Sequence, residues 1–114
     1  MKAYETEGSK MSDSLSQLTS KVFAQHQHSR FKTASDGVAM ELVLTTVVER
    51  HSAPNIESFS LVFSGPRTPQ LPQRIHRMEH EQLGALEIFL TPIGADADKV
   101  TYEAVFNRLR KDTK

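Results

Sequence analysis

Cysteine and tryptophan are both missing from this 114-residue chain. Without cysteine there is no disulfide framework and no thiolate metal site, a composition that suits a reducing compartment. Net charge is missing too: 14 Lys+Arg balance 14 Asp+Glu. No long-range field therefore draws the chain to nucleic acid or to an anionic membrane, and little repulsion opposes self-association. No apolar run approaches the length of a membrane span. The opening stretch "MKAYETEGSKMSDSLSQ" has no apolar segment of the kind a secretory signal needs. Motifs for chemistry are scarce as well. Ser60 and Ser64 have no G-x-S-x-G elbow around them, and there is no glycine-rich phosphate loop.

What is present is alternation. The length suits one domain, and 38% hydrophobic with 25% charged residues is a globular composition. From residue 29 onward, large apolar residues recur with period two, and turn formers separate the runs. Phe31 and Thr33 flank Lys32. Asp36-Gly37 then signals a tight hairpin, because a type I′ turn needs positive φ at both central positions. Val38, Met40, Leu42, Leu44, Thr46 and Val48 form one face of a long strand whose other face is also partly apolar. Residues 51–58 read as a loop broken by Pro54. Phe59, Leu61 and Phe63 form the inner face of the next strand, which Gly65-Pro66 ends. The three prolines of residues 65–72 make a rigid, surface-lying connection. Ile75 and Met78 lie in a short strand. Leu86, Ile88 and Leu90 are one face of the next, ended by Pro92 and Gly94. After the turn at residues 95–98, Val100, Tyr102, Ala104 and Phe106 alternate with Thr101, Glu103, Val105 and Asn107.

The pattern predicts an all-β fold: about six antiparallel strands, as a barrel or sandwich, with a short N-terminal helix. Its core is predicted to hold Leu42, Leu44, Phe59, Leu61, Phe63, Leu86, Ile88, Leu90, Tyr102 and Phe106. The helix is carried by Leu15, Leu18, Val22 and Phe23, with Ser14 as N-cap and Gln17 completing a capping box, and it plugs one open end. Residues 15–109 form a single β domain. Residues 1–14 read as a polar arm, and Met11 leaves residues 1–10 open as a tag, an upstream start or an extension. If the arm is ordered, residues 2–7 ("KAYETE") pair with a sheet edge, anchored by Tyr4. Residues 110–114 are a basic tail.

Candidate chemistry is thin. His26 and His28 form an H-x-H that would share a face on a strand. His76 and His80, beside Glu79, would also share a face, about 13 Å apart by strand rise. His51 sits alone in a loop. No third ligand is apparent, so hydrogen-bonded or solvated histidines are the preferred reading over a metal site. Asp96 and Asp98 lack the further carboxylates of a calcium loop and read as turn residues. Glu41, Glu49, Glu87 and Glu103 are spaced as outward strand residues, not as a converging acid pair. Arg67, Arg74 and Arg77, and separately Arg108, Arg110 and Lys111, would make a basic patch only if the fold joined them. Pairing with Glu79 and Glu81 is the plainer expectation, and stacking aromatics for nucleic acid are scarce. No catalytic, cofactor-binding or metal residue is assigned, and no cofactor is expected.

Five segments carry a family resemblance: "LTSKVF" at 18–23, "FSLVFSGP" at 59–66, "LPQRIHRMEH" at 71–80, "LGALEIFLTPIG" at 83–94 and "YEAVFNR" at 102–108. In this combination and order, from about Leu18 to Leu109, the chain resembles a family of short, uncharacterised bacterial proteins known as a domain of unknown function. The resemblance implies proximity to phage-tail-like and tail-collar-like proteins, and so a structural or accessory role in such an assembly or a filament. Its partners would be proteins, by self-association or within the assembly, with no nucleic acid and no membrane. It implies no enzymatic activity and transfers no site residues. Synthesis in the cytoplasm, with incorporation into an extracellular or virion-like assembly, fits that expectation. The rival expectations are a small-ligand-binding barrel, which the bulky core residues count against, and a metal-dependent enzyme built on a histidine pair.

Overall fold

The computed structural model describes residues 18–50, 54 and 56–109. One short helix, α1 (Ser20–Ala24), precedes six strands: β1 (Arg30–Ser35), β2 (Val38–Glu49), β3 (Ile56–Pro66), β4 (Arg74–His80), β5 (Gly84–Ala95) and β6 (Lys99–Leu109). All pairings are antiparallel, and the strands close into a barrel in the order β1-β2-β3-β6-β5-β4. The expected all-β barrel with a short N-terminal helix is what forms. Asp36 and Gly37 take positive φ of 51° and 82°, as the tight β1–β2 turn requires. The arm at 1–14 with its strand pairing at 2–7, the Ser14 cap, Leu15, Gln17, His51 and the tail at 110–114 lie outside the described residues. The helix cap within them is Thr19, whose Oγ1 accepts from the Val22 N–H at 3.3 Å.

Every predicted core residue except Phe106 is fully or almost fully buried. Phe106 is half-buried against the same cluster, stacked on Phe59 at 4.7 Å. Three expectations change. The β2 face does not run unbroken to Val48, because the β2–β3 register shifts between Leu44 and Thr46. That bulge turns Val47 toward the core and leaves Val48 42% exposed. Gly65-Pro66 does end β3, but Pro92 lies inside β5, which runs on to Ala95. The β2–β3 ladder stops at Ser64 and the β4–β5 ladder at Leu90, so each proline pairs only with β6 and its missing N–H costs no bond on the other side.

The third change concerns the connection 67–73. In the ring of strands, β3 and β4 stand opposite each other, so the segment joining them crosses the barrel mouth instead of lying on the surface. It carries Leu71 inward to complete burial, and the Leu71 N–H donates to the Tyr102 hydroxyl at 2.9 Å. The opposite mouth is filled from α1: Phe23 is fully buried between Phe59 and Phe106, each 6.0 Å away. Both ends of the barrel are therefore plugged.

Candidate functional site

The ladders around the barrel are unequal, and that inequality positions the site. β3 pairs along its whole length with β6 and, from Phe59 to Ser64, with β2. β5 pairs with β6 only from Thr91 to Ala95. β1 and β4 share one residue pair, Lys32 with Glu79. Across this β1–β4 seam, side chains replace the missing ladder. Thr33 Oγ1 donates to the Arg77 carbonyl at 2.8 Å. Two grooves, of about 460 and 630 Å³, follow the seam. The first is lined by Lys32, Thr33, Ala34, Arg74, Ile75, His76, Arg77 and Glu79. The second lies at the α1 end and includes His28, Ser29, Arg30, Glu41, His80 and Glu81.

The inner face of β4 reads His76, Met78, His80, all buried, so the expected sharing of one face by the two histidines holds. Ile75 faces the other way and is 61% exposed. Its cross-strand partner Phe89 is 50% exposed, which puts an apolar pair on the outer wall of the β4–β5 hairpin. The two buried histidines are bonded separately. A ring nitrogen of His76, Nε2, lies 2.8 Å from the Pro72 carbonyl, which can only accept, so Nε2 carries the proton.

His80 is bonded on both ring nitrogens. Its Nδ1 accepts from the backbone N–H groups of Gln82 at 3.0 Å and Leu83 at 3.1 Å. The proton therefore resides on Nε2, which lies 2.9 Å from Ser29 Oγ. The Ser29 hydroxyl in turn donates to the His26 carbonyl. The His80 ring packs on Phe31 at 4.6 Å and edge-on to His26 at 4.9 Å. A serine beside a histidine invites comparison with a nucleophile–base pair. The protons run the other way here. The imidazole donates to the serine, and the nitrogen that would need to be free is held by its own turn.

His26 and His28 are not on a strand. They sit in the turn after α1, with His28 at φ 72°, so the expected shared face does not form. Among the described residues no cluster of three potential metal ligands occurs. Asp96 is a turn residue, as expected: its Oδ1 accepts from the N–H groups of Asp98 and Lys99, each at 2.9 Å, and these bonds hold its carboxyl below the usual range. Of the four glutamates, Glu41 pairs with Arg30, Glu103 with Arg50, Glu49 accepts from Ser20 Oγ, and Glu87 is exposed, so they do not converge. Ser60 is buried although it faces outward, because Arg50 lies over it and donates to its Oγ at 3.0 Å.

The basic residues stay apart. Arg74 and Arg77 line the seam beside Lys32, and Arg77 reaches Glu79 at 3.9 Å. Arg67 donates to the Asp96 carbonyl. Arg108 is at the α1 end. It pairs with Glu57 at 3.3 Å, lies over the Phe59 and Phe106 rings, and donates to the Leu18 carbonyl. Sequence reasoning missed Ser29, Thr33 and Leu71. Only Leu71, an apolar residue between prolines, carried a readable signal. No helix among the described residues is long and apolar enough to cross a membrane. No curated protein and no solved structure matches the chain. A family model does match, over residues 18–106 and so over most of the chain, and the protein belongs to the family described as a domain of unknown function (DUF6916).

Proposed function

We propose that this protein is a non-enzymatic subunit that binds protein chains, copies of itself among them, as a structural or accessory part of a phage-tail-like or filamentous assembly. The observation that carries this reading is the under-paired edge of β4. One backbone pair crosses to β1, and the exposed Ile75–Phe89 pair lies alongside on the outer wall. An edge strand with free backbone groups is a template for another strand, since main-chain bonds give affinity and flanking side chains give selectivity. Zero net charge leaves little repulsion to keep copies apart. A barrel core filled by Phe31, Phe59, Phe63 and Tyr102 counts against the small-ligand reading. The serine–histidine contact, with its protons reversed, lends nothing to a hydrolytic reading.

Light scattering and sedimentation across a concentration series test the proposal. The full-length chain is expected to form larger species as concentration rises. Ile75→Lys places a charge beside the edge without touching the core, and it is expected to abolish those species while leaving thermal melting unchanged. A chain that stays monomeric up to its solubility limit sinks the self-assembly reading. So does association that Ile75→Lys leaves intact.

A further inference from the structure

Where backbone pairing is missing at the α1 end of the seam, one side chain takes its place. His80 touches β1 through Phe31 and the residue before β1 through Ser29. It touches the turn after α1 through His26, and it holds its own β4–β5 turn through Gln82 and Leu83. Of these contacts, the two from Gln82 and Leu83 require a neutral ring with its proton on Nε2. A second proton must go on Nδ1, where it would face the two backbone N–H groups that now donate to it. We propose that His80 is a proton-operated latch on the β1–β4 seam: when neutral, its Nδ1 holds the β4–β5 turn and so keeps β4 seated against β1, and when protonated it loses that turn and loosens the β4 edge. This is a regulation of the edge on which the proposed assembly rests.

The groups facing His80 set the direction. His26 faces it from the turn after α1, and Glu81 from the β4–β5 turn. Lys32, opposite Glu79 in the strand register, Arg30, ion-paired with Glu41, and His28 line the same groove. Burial holds the His80 imidazole below its ordinary value of 6.5; a charged His26 pushes it further down, and Glu81 pulls it up. An open or unfolded chain therefore takes up the proton at about pH 6.5, and the closed seam only at lower pH. The latch contributes its full stability above about pH 6.5 and loses it as the pH falls from there toward the lower closed-state value.

Amide exchange by nuclear magnetic resonance, on dilute full-length protein, tests the latch without any partner. Between about pH 7.5 and about pH 5, after correction for intrinsic exchange, opening at Gln82, Leu83 and the β4 amides is expected to rise by up to about tenfold per pH unit, the limit for one proton. Opening at β3 is expected to stay level. His80→Asn keeps a carbonyl acceptor near the Nδ1 position but does not titrate, so its profile is expected to be flat. His26→Asn, which removes the repelling neighbour and so raises the closed-state value toward 6.5, is expected to shrink the wild-type rise and level it off at a higher pH. A flat wild-type profile overturns the proposal, as does a step that survives in His80→Asn. Should His80→Asn fail to fold, the ring nitrogen shifts of the wild type decide. An Nε2–H tautomer at neutral pH, with protection lost as Nδ1 protonates, supports the latch, and an Nδ1–H tautomer overturns it. A working latch in a chain that never associates removes only the assembly reading, and association with a flat profile removes only the latch.

Discussion

Gly65 lies on the inner face of β3, in phase with Phe59, Leu61 and Phe63, where a barrel of this width has room for backbone but not for another side chain. A Cβ added there would clash with the Leu42 Cδ2 atom and come within 3.4 Å of the Tyr102 ring. Leu42 and Tyr102 are fully buried and have nowhere to retreat. Overpacking of this kind costs about 1–3 kcal/mol. Gly65→Ala is therefore expected to lower stability by that amount in urea melts, and a change within experimental error would mean that the neighbouring wall yields. The same tyrosine carries a second constraint, since its hydroxyl is the acceptor for the buried Leu71 N–H. One residue thus packs the core with its ring and ties down the connection at the mouth with its oxygen.

At the scale of elements, the 67–73 connection behaves as a plug. Leu71 has no exposed surface and sits opposite the end that Phe23 fills. Leu71→Ala is expected to cost about 2–5 kcal/mol, the usual range for a buried leucine truncated to alanine. A surface-lying loop would give less than about 0.5 kcal/mol, the range for featureless surface positions, and urea melts separate the two. Strand identity was legible in the sequence because period-two alternation and turn residues report burial on one face. Phe59, Leu61, Phe63, Leu86, Ile88 and Leu90 all went where the alternation put them. The path of 67–73 was not legible, because it depends on β3 and β4 standing opposite each other, a property of the closed ring and not of any window. The bulge at Thr45 was hidden for a related reason. Both faces of β2 are partly apolar, so a one-residue shift leaves no break in the pattern. The seam contacts are longer-range still: Ser29 and His80 are separated by 51 positions, and neither residue signals the other.

The whole molecule divides by its ladders into a well-tied part and a loosely tied one. β1, β2, β3 and β6 form a four-stranded curved sheet with long registers, the β2–β3 one shifted at the bulge between Leu44 and Thr46. The β4–β5 hairpin closes the barrel through the short β5–β6 ladder on one side and the single Lys32–Glu79 pair on the other. Local opening follows the weakest set of bonds, so the hairpin is expected to open as a unit while the four-stranded sheet stays intact. Native-state hydrogen exchange at neutral pH measures this directly. The slowest amides are expected in β3, which is paired on both sides from Phe59 to Ser64. The β4 amides are expected to exchange by a sub-global opening of lower free energy than global unfolding, with a smaller denaturant slope because it exposes only part of the core. If β4 exchanges as slowly as β3, with the same denaturant dependence, the barrel opens only as a whole. The edge would then not become available short of unfolding, and strand addition at the seam would lose its physical basis.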